Sequence, residues 1–523
     1  MKLQLIHPPL YLNVHAMTAL RPSLPLGLGY IAASLREAGH EVSLLDAVAE
    51  APDQVTEGSK KQLFVLGLTT DQIVEQLDPE AEAFGVTNMW TFSWPLVREL
   101  IQKMKAAFPD KPIVCGGEHF SGLPQLSMEQ SPLDYIVLSE GEEGAVDIFD
   151  AIEAGSLPET IEGIASIWYR HADGTPMRSI GNRPRNKDVN TIAWPAWDLI
   201  DIDTYNEHEF INGLNQGKTI PILATRGCPY QCTYCSSARM WTTRWYARDA
   251  KDVVDEMQHY KEKYGATNFP FQDLTAILKR DWIIEFCNEL LERNLNVHWQ
   301  FPSGTRCEVI DDEVANLLNL TNGRSLAFAP ESGSEETRKL IKKQMKTEAL
   351  MDAARASVKN KLNVTCFVVI AFPHDTAEGI QKTIEMARRL ARIGIDDIAV
   401  GFFFPIPNTE LYDQLMESGR VTLEDDFLLT PIFANEEKLL IENNYCDNLT
   451  AEQLTRFKYK ILMNFYATSF AVRPWRVATI LFNVLRGKET RKMETYLVDV
   501  RRKMGIAFRN KFRSKDKQQT AVV

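Results

Sequence analysis

Three cysteines fall within one short stretch, Arg226-Gly227-Cys228-Pro229-Tyr230-Gln231-Cys232-Thr233-Tyr234-Cys235. The spacing Cys-x3-Cys-x2-Cys lets three thiolates converge on one soft metal centre from a tight loop, as iron–sulfur clusters are held. Zinc is the competing reading. A zinc tetrahedron closes with four ligands, and the nearest further candidates along the chain, His208 and His259, are not spaced like finger ligands. Three cysteines fit better a cubane cluster with one iron left open. The other five, Cys115, Cys287, Cys307, Cys366 and Cys446, stand singly and read as inert packing thiols. Eight cysteines in 523 residues are too few for a disulfide scaffold, and their clustering in a reducing compartment points to metal.

The elements that must position this loop are legible around it. Apolar runs at 222–226, 268–272, 297–302, 325–329, 364–372 and 398–404, separated by amphipathic helical patterns, predict six strand-helix units. Such a series makes a partial (β/α)6 barrel, whose chemistry sits at the carboxyl ends of the strands. The cysteine loop directly follows the first of them. Upstream, strands at 3–6, 41–45, 83–87, 112–115 and 135–138 alternate with helices at 28–38 and 95–107, which predicts an α/β, doubly wound, Rossmann-like parallel sheet. Its ligand cleft would gather Pro8, Thr87 to Trp90, Gly116 to His119 and Ser139 to Glu143 beyond the strand ends. Trp90, Phe92 and Trp94 either line that cleft or pack in the core. The chain thus divides into a doubly wound domain (1–155), a linker with a hairpin at Ala172-Asp173-Gly174 (156–215), the barrel (216–420) and a C-terminal helical region with a basic tail (421–523).

Composition agrees with a soluble globular protein: 45% hydrophobic, 10% aromatic and 24% charged residues exclude general disorder. No apolar run reaches a membrane span, and His7, Pro8 and Pro9 interrupt the N-terminus before a signal core forms, so a cytoplasmic location is expected. The net charge is −12, yet 473–517 holds 14 Lys/Arg against 4 Asp/Glu, leaving −22 on the remainder. An acidic body offers no broad phosphate-binding face, so nucleic acid is not an expected partner. The tail reads either as an interfacial helix that brings the protein to a membrane surface or as a helix packed on the barrel with a solvated basic edge.

The cysteine loop, with Tyr234 just before its third cysteine, resembles the hallmark of the radical SAM enzymes. The resemblance implies a 4Fe-4S cluster on Cys228, Cys232 and Cys235, whose open iron binds S-adenosylmethionine (SAM), reductively cleaved to a 5′-deoxyadenosyl radical. It implies Tyr234 against the adenine, and Glu331 and Ser332 of Ala329-Pro330-Glu331-Ser332-Gly333-Ser334 on the SAM ribose and methionine. Phe372-Pro373-His374-Asp375-Thr376 and Pro405-Ile406-Pro407-Asn408-Thr409-Glu410-Leu411-Tyr412 resemble the family's turns after the fifth and sixth strands. The usual Gly-Gly-Glu after the second strand is replaced by Phe271-Gln272-Asp273-Leu274-Thr275. Asp273 is then the candidate for the methionine amino group, or else a helix N-cap, and Arg306 a further candidate for a carboxylate or an ordinary ion pair.

A doubly wound domain ahead of such a core resembles the cobalamin-binding class of the family, which implies cobalamin as a further cofactor. The resemblance rests on Leu24 to Ala33, on Gly116-Gly117-Glu118-His119 and on Ser139-Glu140-Gly141-Glu142-Glu143, so Gly116, Gly117, His119, Glu140, Gly141 and Glu142 are its candidate contacts. Glycine lets backbone approach a corrin closely. The Asp-x-His-x-x-Gly that brings histidine to cobalt is missing, and no histidine on cobalt is expected. The function implied is a C-methyltransferase acting on an unactivated carbon of a small, lipophilic substrate, supplied with electrons by a carrier such as flavodoxin or ferredoxin. A cyclase or oxidase with the same cofactors is the alternative, and a sensor without turnover the alternative of another class.

Overall fold

The structure is a computed structural model that describes residues 1–13, 21–60, 63–155, 161–433 and 443–487, together with 490–491, 493–495, 497–498 and 500. Among the described residues, ten strands precede the barrel domain: β1 (Lys2–His7), β2 (Leu10–Asn13), β3 (Glu41–Asp46), β4 (Val55–Glu57), β5 (Leu63–Leu66), β6 (Ala83–Thr87), β7 (Ile113–Gly116), β8 (Tyr135–Val137), β9 (Ile167–Arg170) and β10 (Pro176–Arg178). Seven of them form one sheet in the order β10-β9-β8-β7-β6-β1-β3. β1 pairs in parallel with β3 on one side and β6 on the other, so strand order reverses there, where a doubly wound fold opens its crevice. Leu3, Leu5 and Ile6 of β1 are sealed from solvent because helices cover both faces of the sheet, hence the continuous apolar run.

Two features differ from the sequence reading. The hairpin around Ala172-Asp173-Gly174 is present as β9 and β10, but β9 pairs antiparallel with β8, so the first sheet continues past residue 155 into the segment read as linker. A three-stranded antiparallel sheet, β2-β5-β4, was not expected at all; its strands are short and their alternation weak.

The strands of the second domain are β11 (Thr225–Arg226), β12 (Tyr246–Ala247), β13 (Asn268–Pro270), β14 (His298–Thr305), β15 (Ser325–Glu331), β16 (Asn363–Ile370) and β17 (Asp397–Phe402), with β11 and β12 paired antiparallel as a separate two-stranded sheet. β13 to β17 form a parallel five-stranded sheet in chain order. The chain entering β11 joins it through parallel bridges Thr219 to Asn268 and Ile222 to Phe271, completing six units. One apolar core spans both domains: Trp94, Cys115 and Phe120 of the first pack with Phe372, Phe403, Tyr412 and Phe427 of the second. Behind the barrel, the helix Ala451–Val472 lies against the helix Ala377–Ile393, and a further helix, Trp475–Leu485, follows. The rest of the basic tail, from 501 on, lies outside the described residues.

Candidate active site

The cysteine loop leaves the carboxyl end of β11 and is held by its neighbours. Asp273, fully buried after β13, accepts hydrogen bonds from the backbone N–H of Thr225 (2.5 Å) and Ala224 (3.3 Å) and from the Thr225 hydroxyl (2.5 Å). It is not an N-cap, because the following helix begins at Arg280 with Lys279 before it. Its oxygens are spent on the strand that delivers the cysteines, and burial raises its pKa to about 6. Two residues on, the Thr275 hydroxyl donates to Cys228 Sγ at 3.4 Å, while Ser237 Oγ lies 3.1 Å from Cys235 Sγ. Burial pushes the Cys232 and Cys235 thiols up, so a bound metal centre is what would hold them as thiolates.

The donor set fits a cluster better than a single ion. Three free thiols on one loop are soft donors of the kind that hold iron–sulfur clusters, and no His, Asp or Glu among the described residues is hydrogen-bonded to them.

At the end of β15, Glu331 adopts a left-handed φ of 61° and accepts hydrogen bonds from Tyr234 Oη (2.9 Å) and Lys343 Nζ (3.0 Å). Burial and the Glu331 charge together hold the Tyr234 phenol protonated; burial works against the Lys343 charge, but Glu331 restores it. The Tyr234 ring packs on Phe372, centroids 5.5 Å apart. Ser332 turns inward: its hydroxyl meets Thr383 Oγ1 and accepts from Ser334 N. Left-handed residues recur after the next two strands, Ala371 (φ 73°) and Asn408 (φ 63°). Each turn then hands over to a helix N-cap: Ser334, Thr376 and Thr409 accept from Thr337 N, Gly379 N and Tyr412 N. The family-like motifs are therefore strand-to-helix corners that leave strand ends open to a ligand. Arg306 lies with its guanidinium 4.0 Å above the Tyr230 ring and pairs with Glu308.

On the first domain, Gly117 takes φ 113° and a Cβ there would meet the Asn88 carbonyl at 2.6 Å, whereas a Cβ at Gly116 would meet nothing nearer than 3.9 Å. Asn88 Nδ2, buried at the end of β6, has no hydrogen-bond partner. An open backbone beside an unspent amide donor suits the edge of an amide-rimmed corrin. His119 does not join this cleft. Its ring is fully buried, stacked on Trp94 at 4.7 Å with Nε2 3.2 Å from Ser127 Oγ, and burial lowers its pKa to about 3. Trp94 and Phe92 are core residues as well, while Trp90 is half exposed and stacks on Phe92.

Glu140 and Glu142 also have partners that sequence reasoning missed. Glu142 accepts from Arg226 Nη2 at 2.5 Å, and Glu140 is gripped by Arg185 through Nε (3.2 Å) and Nη2 (3.1 Å). Arg226 is buried, with its guanidinium 5.0 Å from the Tyr30 ring; burial opposes its charge, but Glu142 and Glu140 more than offset that. Burial likewise opposes ionisation of Glu142, and Arg226 keeps its pKa low. Arg185 also donates to the carbonyls of Trp241 and Arg244. A Cβ on Gly141 would meet Ile31 Cδ1 at 2.8 Å, so that side-chain tip would have to shift. A second link joins the two domains from the neighbouring turn after β7: the Ser236 hydroxyl, next to Cys235, donates to Glu118 Oε1. No local signal could have found these pairs, because the partners are 84 and 118 residues apart.

A cysteine-bearing partial barrel joined to a doubly wound domain is the arrangement expected of a radical SAM domain preceded by a B12-binding domain, and the chain carries both. The B12 binding domain model matches residues 15–149 and the Radical SAM superfamily model matches residues 222–387. The chain is 24% identical over 467 residues to an uncharacterized methyltransferase of Pyrococcus horikoshii, covering 89% of this chain and 92% of that one. It is 26% identical to cytidylyl-2-hydroxyethylphosphonate methyltransferase of Streptomyces wedmorensis (81% and 83% covered) and 24% identical to the anaerobic magnesium-protoporphyrin IX monomethyl ester cyclase of Rubrivivax gelatinosus (83% and 73%). Its fold is that of the radical SAM methyltransferase TsrM from Kitasatospora setae (TM-score 0.61, 18% identity, 80% of this chain and 76% of that one) and of the cobalamin-dependent radical enzyme OxsB (TM-score 0.63, 14% identity, 96% and 84%).

Proposed function

We propose that this radical SAM enzyme is a C-methyltransferase acting on a small molecule. The observation that carries the reading is the shared seam: the corrin-side loops at Glu118 and Glu142 are bonded directly to Ser236 and Arg226, which bracket the cysteine loop. When bound, the cluster with SAM supplies a carbon-centred radical and the corrin a transferable methyl group. Cys228, Cys232 and Cys235 would hold the cluster, with the Thr275 hydroxyl donating to Cys228 Sγ and the Cys235 thiol directed at Ser237 Oγ. Tyr234, with Glu331 and Lys343, forms a polar wall for the SAM adenosyl and methionine groups. Asp273 acts through β11, fixing the strand from which the loop springs. Gly116, Gly117 and Asn88 receive the corrin edge, while Glu140, Gly141 and Glu142 set its distance from the cluster. A small carrier such as flavodoxin or ferredoxin supplies the electrons.

The test is methyl-labelled SAM with reduced, reconstituted enzyme and substrate extract. Methyl transfer consumes two SAM per turnover, giving one S-adenosylhomocysteine, one 5′-deoxyadenosine and a labelled product. A cyclase, the activity named for the Rubrivivax relative, would instead give deoxyadenosine with an unlabelled product. A protein that yields neither deoxyadenosine nor labelled product would be a sensor.

A further inference from the structure

Most surface helices bury an apolar stripe and show water their charges. The helix Trp475–Leu485 does the reverse. Its inner face is pinned by Arg476, which is buried and donates to the carbonyls of Ile395 (2.7 Å) and Gly394 (2.5 Å) and to Ser469 Oγ (2.8 Å). Arg473, one turn earlier, donates to the Ile393 carbonyl at 2.8 Å. These carbonyls close the helix Ala377–Ile393, an end that attracts cations. The anchor fixes the rotation of the terminal helix, and what remains outward is apolar: Trp475 is 62% exposed, Val477 41%, Leu481 58%, Phe482 53% and Leu485 83%. Single exposed apolar side chains need no explanation, but five on one eleven-residue helix do.

We infer that this outward face docks the enzyme on an anionic phospholipid bilayer. Charge selects that occupant. Arg486 follows the apolar face directly, its guanidinium 4.0 Å from the Phe482 ring, and the sequence from 501 to 517 carries eight Lys/Arg against one acidic residue, Asp516. A second copy of the chain on the same face would bring two such basic segments together, whereas an anionic surface attracts them and accepts the aromatic and leucine side chains at the headgroup boundary. The contact is peripheral: no described helix is long and apolar enough to cross a membrane.

The experiment is co-sedimentation of the full-length holoenzyme with vesicles of phosphatidylcholine plus phosphatidylglycerol, and with vesicles of phosphatidylcholine alone. The enzyme is expected to sediment with the mixed vesicles, much less with the neutral ones, and less as salt rises, because the Debye length is only about 8 Å at physiological ionic strength. The triple substitution Trp475→Ser, Phe482→Ser, Leu485→Ser should lower partitioning by about tenfold or more. It should leave the melting temperature and the iron and cobalamin content unchanged, since these side chains already face solvent. Equal partitioning of variant and wild type, or no sedimentation with the anionic vesicles, would overturn the inference. So would wild-type dimerisation by light scattering that the triple variant abolishes, for then the face belongs to a second copy.

Discussion

Arg226 and Arg476 are both buried guanidinium groups at opposite ends of the same barrel, and they are neutralised in different currencies. Arg226, at the carboxyl end of β11, meets two carboxylates, Glu142 at 2.5 Å and Glu140 at 3.8 Å, both from the other domain. Arg476, before the amino end of β17, meets mainly backbone carbonyls of its own barrel, with Asp396 at 3.4 Å as a secondary partner. A carboxylate bond needs two ionised side chains to be desolvated together, so it is strong only when both domains are in register. A carbonyl bond needs only that a helix ends where it does. The front seam therefore reports on how the two cofactor domains are set, and the rear one on local docking of a helix.

The largest effect should come from the front. Cys228→Ala, Cys232→Ala or Cys235→Ala should each abolish cluster and deoxyadenosine formation, read by iron and sulfide analysis, whereas Cys287→Ala, in a packing site, should keep both. One zinc per chain in the wild type would end the comparison at once. Next, Arg226→Met strands a buried Glu142 and should cost about 3–5 kcal/mol in urea unfolding of the apo chain. Adding Glu142→Gln should return most of that loss. Among molecules that still fold, Arg226→Met should lower labelled product more than deoxyadenosine, because the radical half needs only the barrel and methyl transfer needs both halves.

At the rear, Arg476→Met should cost less, about 2 kcal/mol, since the freed carbonyls can take up water and Asp396 keeps Arg491 at 2.9 Å. The ratio of product to deoxyadenosine should not move. An unequal change there would mean that the two seams are coupled.

The smallest effect is a pH signature of the first domain. His119 is held near pKa 3 in the fold against 6.5 unfolded, so the unfolded chain takes up a proton below pH 6.5 that the native one refuses. Stability should fall as pH drops through that window, by up to ~1.4 kcal/mol per unit from this group. His119→Phe, which keeps the stacking on Trp94, should flatten that dependence, leave cobalamin content unchanged, and leave the Co(II) spin-resonance spectrum free of nitrogen splitting, as in the wild type.

The strands were legible because parallel strands buried on both faces must be apolar throughout: the 83–87 strand stands where its run of residues placed it, and the barrel strands lie within a few residues of theirs. The cysteine loop was legible because its three cysteines are neighbours in sequence. His119, Asp273, Glu140 and Glu142 were read as ligand contacts from short motifs, and there the fold assigned the side chains elsewhere. His119 is packed beneath Trp94, Asp273 clasps Thr225, and the two glutamates grip Arg226 and Arg185.

Sequence alone determined the spacing of the three cysteines, the order of strands and helices, and the corners at Glu331, Ala371 and Asn408, since these depend on contacts or backbone conformations within a few residues. Only the tertiary structure decided that the glutamate-rich turn of one domain would neutralise the arginine before the cysteines of the other, and that Arg476 would point the terminal helix's apolar face outward. The reason is physical: a buried charge is stable only beside its partner, and the partners here are brought together by packing, from positions about eighty residues apart.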